Sequence, residues 1–231
     1  MPLKKSRGNM YPWTTHTHTH LGGECPHKCS YCYVDNPRFG RHPRYQGPIR
    51  LVEKELSVNY GKGKTIFIEH CNDLFAQDIP ADFINKILDH CLQYPENTYV
   101  FQSKNPARFQ FIAEFSPIDA VFGTTIETNR MISGISKAPY PEDRMLAMER
   151  SMCRKFLTLE PILDFDVDIL ASWIDRIRPE FLNLGADSKG HNLPEPTVEK
   201  VMALVDKLAE YGIELREKWN LSRLKVGRIA I

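Results

Sequence analysis

The sequence predicts an α/β protein with an open (β/α)6 partial TIM barrel, and three observations support this fold class. Strand-like and helix-like segments alternate with short connections, which is typical of βαβ units and a parallel sheet. About six such units fit into 231 residues, too few for a closed barrel of about 250 residues. A hydrophobic fraction of 42% is ordinary for a globular domain with a substantial core.

The first predicted strand is residues 11–20, where threonine alternates with His16, His18 and His20. A period of two in a segment rich in β-branched residues indicates a strand with the three histidines on one face. We interpret them as the lining of a polar barrel interior, because side chains on one strand face diverge too little to surround one metal ion. Gly22-Gly23 ends the strand and frees the backbone to turn.

Helix and strand are predicted to alternate from residue 50 onward. Residues 50–59 are predicted as a helix and 64–69, Lys-Thr-Ile-Phe-Ile-Glu, as a buried strand. In 81–94 apolar residues recur at helical spacing, which predicts an amphipathic helix. The next predicted strand is 98–102, and the next helix is 106–114.

The second half of the chain continues the alternation. A predicted strand at 120–126 precedes a helix at 142–152 that carries Met145, Leu146 and Met148. The elements that follow are strand 155–159, helix 167–178, strand 181–184, helix 196–211 with its apolar stripe, and the short strand 213–216. We expect one domain over 1–231, with the partial barrel in 11–212 and a short C-terminal extension in 213–231, because no linker or internal repeat divides the chain.

Three of the six cysteines lie close together, at Cys25, Cys29 and Cys32. Their spacing, C-x3-C-x2-C, favours a metal site over a disulfide framework. A structural zinc site takes four ligands, which His20 or His27 would complete here. An iron–sulfur cluster held by three cysteines instead leaves one iron open for an outside ligand. Both kinds of site are compatible with the spacing alone.

The sequence indicates neither secretion nor membrane insertion. The N-terminal residues 1–5 lack an apolar signal core, and no run of eighteen apolar residues occurs. Because clustered free thiols are typical of a reducing compartment, we expect a cytoplasmic protein without a membrane partner.

Positive charge is concentrated in the first 50 residues, which carry eight Lys and Arg against two acidic residues. A loop there contributes Arg38, Arg41 and Arg44, interleaved with Phe39 and Tyr45. Arginines beside aromatic residues suit phosphate contact combined with base stacking, so they are predicted to bind a nucleic acid or nucleotide substrate. The alternative is a solvated loop whose arginines pair with surface acids elsewhere.

Polar residues follow every predicted strand. Parallel α/β barrels carry their functional groups at the carboxyl ends of the strands, so this recurrence predicts a polar cavity. The residues are Asn72, Asp73, Ser103, Lys104, Thr125, Glu127, Glu160 and Asp187.

The cysteine motif, with Tyr31 before its last cysteine, resembles the signature of the radical SAM superfamily. Asn-Asp-Leu-Phe after the second strand, Ser-Lys-Asn-Pro after the third, Thr-x-Glu on the fourth and Leu-Glu-Pro on the fifth extend the resemblance. The pattern is similar to a phage-associated branch of the superfamily that is distantly similar to spore photoproduct lyase. The family's glycine-glycine-glutamate motif departs from its usual place, since Gly22-Gly23-Glu24 precedes the first cysteine.

The resemblance implies a [4Fe–4S] cluster on the three motif cysteines, with the amino and carboxylate groups of S-adenosylmethionine (SAM) on the open iron. It implies SAM contacts from Asn72 and Asp73 at the amino group and from Ser103 and Lys104 near the carboxylate or ribose. The remaining cofactor contacts that it implies are Tyr31 beside the cluster, Thr125 and Glu127 at the sugar hydroxyls, and Glu160 on the adenosine or substrate side.

The chemistry implied by the resemblance is reductive cleavage of SAM to a 5′-deoxyadenosyl radical, which abstracts hydrogen from a substrate. An electron donor such as flavodoxin or ferredoxin is then an expected partner. Cys71 is a candidate to return a hydrogen atom to the product, although buried cysteines usually behave as small apolar residues, as we expect for Cys91 and Cys153. The alternatives are an activase that forms a glycyl radical on a partner protein and a non-catalytic zinc-binding protein.

Overall fold

A computed structural model describes residues 3–7, 10–34, 42–115 and 119–225. The chain forms two compact units, Met1–Phe122 with Ser136–Ala138, and Gly123–Ile135 with Pro139–Ile231. The strands, in chain order, are β1 (Lys4–Lys5), β2 (His16–His18), β3 (Leu21–Gly22), β4 (Arg50–Leu51), β5 (Thr65–Ile68), β6 (Thr98–Gln102), β7 (Ala120–Thr125), β8 (Lys155–Leu159), β9 (Phe181–Leu184) and β10 (Leu215–Glu217). The α-helices are α1 (Ala81–Leu92), α2 (Pro141–Arg150), α3 (Val167–Ile177), α4 (Val198–Glu210) and α5 (Ser222–Lys225).

The strands form a mostly parallel sheet of eight, in the order β1-β2-β5-β6-β7-β8-β9-β10. Helices alternate with the strands along the chain, as βαβ connections require. The predicted α/β fold with a parallel sheet is therefore confirmed. Residues 215–217 of the predicted C-terminal extension pair in parallel with β9, so that segment contributes a strand to the sheet.

The first unit is built on the parallel pairs β2–β5 and β5–β6, with His18 opposite Ile68 and Ile68 opposite Phe101. Strands β5 and β6 are apolar over most of their length, as expected for strands covered on both faces. Helix α1 buries Ile84, Ile87, Leu88 and Cys91 on one face, which confirms its predicted amphipathic pattern.

Two predictions for the first unit were wrong. The strand predicted at 11–20 is only His16–His18, because Thr14 N and Oγ1 both donate to Tyr11 O and form a turn there. The helix predicted at 50–59 is a strand at Arg50–Leu51 followed by a 3-10 helix at Glu53–Ser57. The reason is tertiary, since Arg50–Leu51 pairs with β3 and only the residues after this pair form helical hydrogen bonds.

The second unit carries the parallel pairs β8–β9 and β9–β10, in which Leu182 lies opposite both Leu157 and Leu215. Helix α3 buries Leu170, Trp173, Ile174 and Ile177. Arg178, the residue that follows α3, has φ of 53°, in the left-handed conformation that commonly ends helices. The carboxyl ends of β8 and β9 lead directly into the polar segments after residues 159 and 184.

Gly123 in β7 is a position where packing requires the absence of a side chain, because a Cβ atom there would overlap the ring of Phe156. We expect Gly123→Ala to lower the free energy of unfolding by about 1–3 kcal/mol through overpacking. The measurement is the urea midpoint at unchanged m-value. Since Phe156→Leu removes the obstructing ring, the double variant should lose less than the two single variants together. Additive losses would contradict the assigned clash.

Candidate active site

The three motif cysteines lie on the loop that follows β2 and β3 in the first unit. All three cysteines are partly exposed. Lys28 N donates to Cys25 O, and Cys32 N donates to Cys29 O, so two consecutive turns place the sulfur-bearing residues on one short loop. Burial, followed by the nearby Asp73 carboxylate, raises the pKa of the Cys25 thiol. Metal binding by Cys25 would therefore have to displace its proton.

Asp73, after β5, connects this loop to the segment after β6. Its Oδ2 lies 2.8 Å from His27 Nε2 and accepts a 2.8 Å hydrogen bond from Lys104 N, while its Oδ1 accepts from Phe75 N. Burial alone would raise the pKa of Asp73, but His27 and these hydrogen bonds lower it below the ordinary value. The carboxylate is therefore ionised at neutral pH and holds three chain segments together.

The backbone before the first cysteine is fixed by Gly23 and Asn72. Gly23 has φ of 90°, and a Cβ atom there would overlap the carbonyl of Pro48. Asn72 Nδ2 donates to Gly23 O at 3.2 Å, and Asn72 Oδ1 accepts from Asp73 N at 2.9 Å. Only glycine suits both the conformation and this close approach.

Lys104 and Tyr31 meet beside the cysteine loop. The Lys104 Nζ atom donates to Tyr31 Oη and lies 5.1 Å from the centre of that ring. Ser103 Oγ accepts from Asn105 N at 2.8 Å. The first unit therefore brings together five of the predicted cofactor-binding residues, namely Tyr31, Asn72, Asp73, Ser103 and Lys104.

Cys71 lies between aromatic hydroxyl groups. Tyr33 Oη is 3.8 Å from Cys71 Sγ and also donates to His70 O. Burial raises the pKa of Cys71, although hydrogen bonds from Tyr45 and Tyr33 reduce that effect. The thiol is therefore protonated at neutral pH and carries an S–H bond. Sequence reasoning missed Tyr33, although its position directly after Cys32 was a usable signal.

The two histidines considered as fourth zinc ligands have other partners. His27 pairs with Asp73, and His20 Nδ1 lies 2.7 Å from Glu69 Oε1. Within the described part of the chain, no three His, Cys, Asp or Glu side chains are arranged to hold a single metal ion. A cluster distributes its cysteines over different irons and does not require that convergence.

Buried imidazoles of the first unit pack between the His18–His20 segment and helix α1. The rings of His18 and His20 lie 4.6 Å apart, and His20 Nε2 faces both Tyr60 Oη at 2.8 Å and His90 Nδ1 at 3.2 Å. His90 Nε2 lies 2.9 Å from Val58 O. His16, in contrast, is only partly buried.

The arginines predicted to bind substrate divide into two groups. Arg38 and Arg41 lie outside the described residues. Arg44 Nη1 donates to Glu55 Oε1 at 2.7 Å, and its other nitrogens donate to Thr19 O and Leu21 O. The Arg44 guanidinium therefore holds its loop against the buried Glu55 carboxylate.

In the second unit, Thr125 and Glu127 share one partner. Arg144 Nη1 donates to Thr125 O at 2.6 Å and to Glu127 Oε2 at 2.8 Å. The Glu127 and Arg144 side chains are both almost completely buried. Removing either partner would leave a buried charge uncompensated, so the pair has a clear structural role.

Glu160 lies at the carboxyl end of β8, where Lys218 Nζ is 2.6 Å from its Oε2. Asp187, after β9, holds His191 through a 2.6 Å contact between Oδ1 and Nδ1. An imidazole bound in this way has a fixed tautomer with Nε2 directed away from the carboxylate. Sequence reasoning missed His191 and Lys218, although the Asp-x3-His spacing was a usable signal for the first.

No family model and no curated protein matches the sequence. Solved structures do. A spore photoproduct lyase variant with bound AdoMet and dinucleoside spore photoproduct has a TM-score of 0.55 at 11% identity, covering 90% of this chain and 66% of that chain. Another spore photoproduct lyase variant has a TM-score of 0.64 at 10% identity, covering 94% and 81%. SuiB from Streptococcus suis, bound to S-adenosylmethionine, has a TM-score of 0.59 at 9% identity, covering 93% and 53%.

These similarities establish the fold. The chain shares the α/β partial-barrel fold of these proteins, and the predicted resemblance to spore photoproduct lyase is confirmed at the level of the fold. The chain spans about two thirds of the length of the substrate-bound lyase and about half of SuiB. None of the helices in the described residues is long and apolar enough to cross a membrane.

Proposed function

We propose that this protein is a radical SAM enzyme that acts on a nucleic acid or nucleotide. The observation that carries the proposal is the C-x3-C-x2-C loop at the carboxyl end of the first parallel strand, in a fold shared with SAM-bound structures. A polar set of side chains surrounds that loop, as a cofactor site requires.

The three motif thiols fit a [4Fe–4S] cluster by their donor chemistry, since they are soft ligands, partly exposed and close together in sequence. Cys25, Cys29 and Cys32 would hold it, and an iron without a protein ligand would bind SAM. When bound, the reduced cluster supplies the electron that breaks the S–C5′ bond of SAM, giving methionine and a 5′-deoxyadenosyl radical that takes hydrogen from the substrate.

The residues of the first unit would bind and orient the methionine part of SAM. Lys104 supplies a cation suited to the carboxylate, and Ser103 lies next to it. Asn72 and Asp73 are proposed for the amino group, with Asp73 also fixing the backbone at Lys104. Tyr31 would hold the lysine in place through its hydroxyl.

The residues of the second unit are proposed for the nucleoside part. Thr125 and Glu127, which share Arg144 as a hydrogen-bond donor, are proposed to reach the sugar hydroxyls of SAM. Glu160 is proposed to line the adenosine or substrate side. A carboxylate at a strand end is a common acceptor for sugar hydroxyls.

Cys71 is proposed to return a hydrogen atom to the product radical, a step that breaks its S–H bond and leaves a thiyl radical. One electron from the proposed reductant, together with one proton, would then restore the thiol. Its burial keeps the thiol protonated, and a protonated thiol carries the transferable hydrogen. Tyr33 lies within contact distance of that sulfur and would position it. We propose flavodoxin or ferredoxin as the kind of protein that supplies the electron. A cytoplasmic location is also proposed.

Nucleic acid is the proposed substrate because basic residues with interleaved aromatics precede β4. We expect binding of a DNA or RNA oligonucleotide to weaken with salt, and to weaken further in Arg38→Ala and Arg41→Ala because each loses one phosphate contact. The measurement is fluorescence anisotropy over a salt series, with a reduction in slope of about one per arginine.

The matched control is Arg154→Ala, which removes an exposed arginine paired with Glu180 at the start of β8. Arg44→Ala is a poor probe because it also removes the partner of Glu55. Affinity and salt slope that stay the same in the Arg38 and Arg41 variants would remove the reason for preferring nucleic acid.

The proposed activity is tested by purifying the chain without oxygen. We expect about four irons per chain, and SAM with dithionite should yield 5′-deoxyadenosine. A colourless protein that contains one zinc and no iron would overturn the proposal in favour of the zinc-binding alternative.

A further inference from the structure

A polar cradle lies at the carboxyl ends of the second unit's strands, formed by Glu160, Lys218 and Asn220. The ion pair between Lys218 Nζ and Glu160 Oε2 measures 2.6 Å, with the Lys218 side chain 9% exposed. Lys218 follows β10 directly, and its backbone N donates to Leu184 O at 2.8 Å. The sheet therefore fixes the backbone of Lys218, and the ion pair with Glu160 places its ammonium group.

The orientation of the Asn220 amide in this cradle is determined by its neighbours. Asn220 Nδ2 donates to Glu160 Oε1 at 2.8 Å and to Ala186 O at 2.7 Å. Because both partners are acceptors, reversing the amide would place oxygen against oxygen, so Oδ1 must point the other way. Within the described ranges, Asn220 Oδ1 is buried and receives no hydrogen bond.

A buried acceptor without a donor costs about 1–3 kcal/mol, so such an atom calls for a specific explanation. The residue next to it provides one. A Cβ atom at Gly185 would lie 3.0 Å from Asn220 Oδ1 and 3.0 Å from Glu160 Oε1. Gly185 has no positive φ, so the reason for glycine here is the close packing of these two oxygens against its backbone.

We propose that this cradle binds the vicinal hydroxyls of a ribose. One hydroxyl would donate to Asn220 Oδ1, and its neighbour would donate to the Glu160 carboxylate while accepting from Lys218. Each of the two adjacent hydroxyls can both donate and accept a hydrogen bond. They therefore suit a site with two acceptors, Asn220 Oδ1 and the Glu160 carboxylate, beside the Lys218 ammonium. Glu160 was expected from the sequence on the adenosine or substrate side, and Asn220 and Lys218 are new members of that site.

The inference rests on the proposed function, which supplies two sources of ribose, namely SAM and a ribonucleotide substrate. Isothermal titration of the reconstituted full chain distinguishes them with two probes. The first is SAM alone. The second, with SAM present, is the dinucleotide ApA compared with its 2′-deoxy counterpart.

If the ribose of SAM occupies the cradle, Asn220→Ala weakens SAM about tenfold, as expected for one lost hydrogen bond. If a substrate ribose occupies it, SAM affinity is unchanged, and the wild-type preference for ApA over deoxy-ApA, about tenfold, disappears in Asn220→Ala. The inference would be overturned if Asn220→Ala changed neither the affinity for SAM nor the affinity for either dinucleotide.

Gly185→Ala is the second variant, because its Cβ atom would crowd Asn220 Oδ1 and Glu160 Oε1 without removing either polar group. It should reproduce the effect of Asn220→Ala even if the latter is poorly folded. The matched control is Asn97→Ala, which removes another buried asparagine but lies before the amino end of β6. If binding depends on Asn220 but no 5′-deoxyadenosine forms, the ribose site is supported and the proposed radical function is contradicted. If 5′-deoxyadenosine forms but the affinities do not change in Asn220→Ala, the radical function is supported and the ribose site is contradicted.

Discussion

Cys29→Ala is expected to abolish formation of 5′-deoxyadenosine and to remove most of the iron. With Cys29 absent, two thiols remain on the loop, and the neighbouring His27 is held by Asp73 at 2.8 Å. A cluster that loses one of three protein ligands cannot be retained in a stable form. Cys25→Ala and Cys32→Ala should behave in the same way.

The measurement combines iron content, the visible absorption of the reconstituted protein and 5′-deoxyadenosine yield. Cys153→Ala is the matched control, because Cys153 is also a partly exposed free thiol but lies between α2 and β8 and contacts Ser151 Oγ. It should retain iron and activity at the wild-type level. Turnover that persists in Cys29→Ala would exclude the proposed cluster.

Acid is expected to destabilise the protein strongly between pH 6.5 and pH 4. Burial, with the neighbouring His20, lowers the pKa of His18 to about 3 and that of His90 to about 4. Both imidazoles are therefore neutral when folded, whereas in the unfolded chain they take up protons near pH 6.5. The unfolded state binds more protons in this window, so stability falls as the pH falls.

Each buried histidine contributes a slope of up to about 1.4 kcal/mol per pH unit, which is large beside a total stability of about 5–15 kcal/mol. Urea unfolding at several pH values measures this slope. His90→Gln keeps a donor for Val58 O but cannot titrate, so its slope should be smaller by about one proton. The exposed His42 serves as the control in His42→Gln. Equal slopes in wild type and His90→Gln would contradict the assignment.

The fold was largely predictable because its signals are local. The amphipathic pattern in 81–94 and the apolar strand at 98–102 lie within single elements, and the structure has α1 and β6 there. The failure at 50–59 has the opposite origin, since that segment pairs with Leu21–Gly22, nearly thirty residues away in the chain. Periodicity within a window carries no information about such a partner.

The site was predictable in its location and less so in its contacts. Parallel strands place their carboxyl ends on one edge, so the sequence alone could assign Asp73 and Lys104 to neighbouring loops. That the Asp73 carboxylate accepts from Lys104 N and lies against His27 Nε2 was not visible in the sequence. Glu127 and Arg144 likewise form a buried pair that no spacing rule predicts.

Spacing and periodicity were sufficient to predict the α/β class, the three-cysteine loop and the positions of the strand-end polar residues. Which of these polar groups meet depends on the folded arrangement of the elements. Asn220 reaches Glu160 across sixty residues, and His20 reaches His90 across seventy. Hydrogen bonds and ion pairs depend on distances of a few ångströms between elements, and those distances exist only once the sheet has assembled.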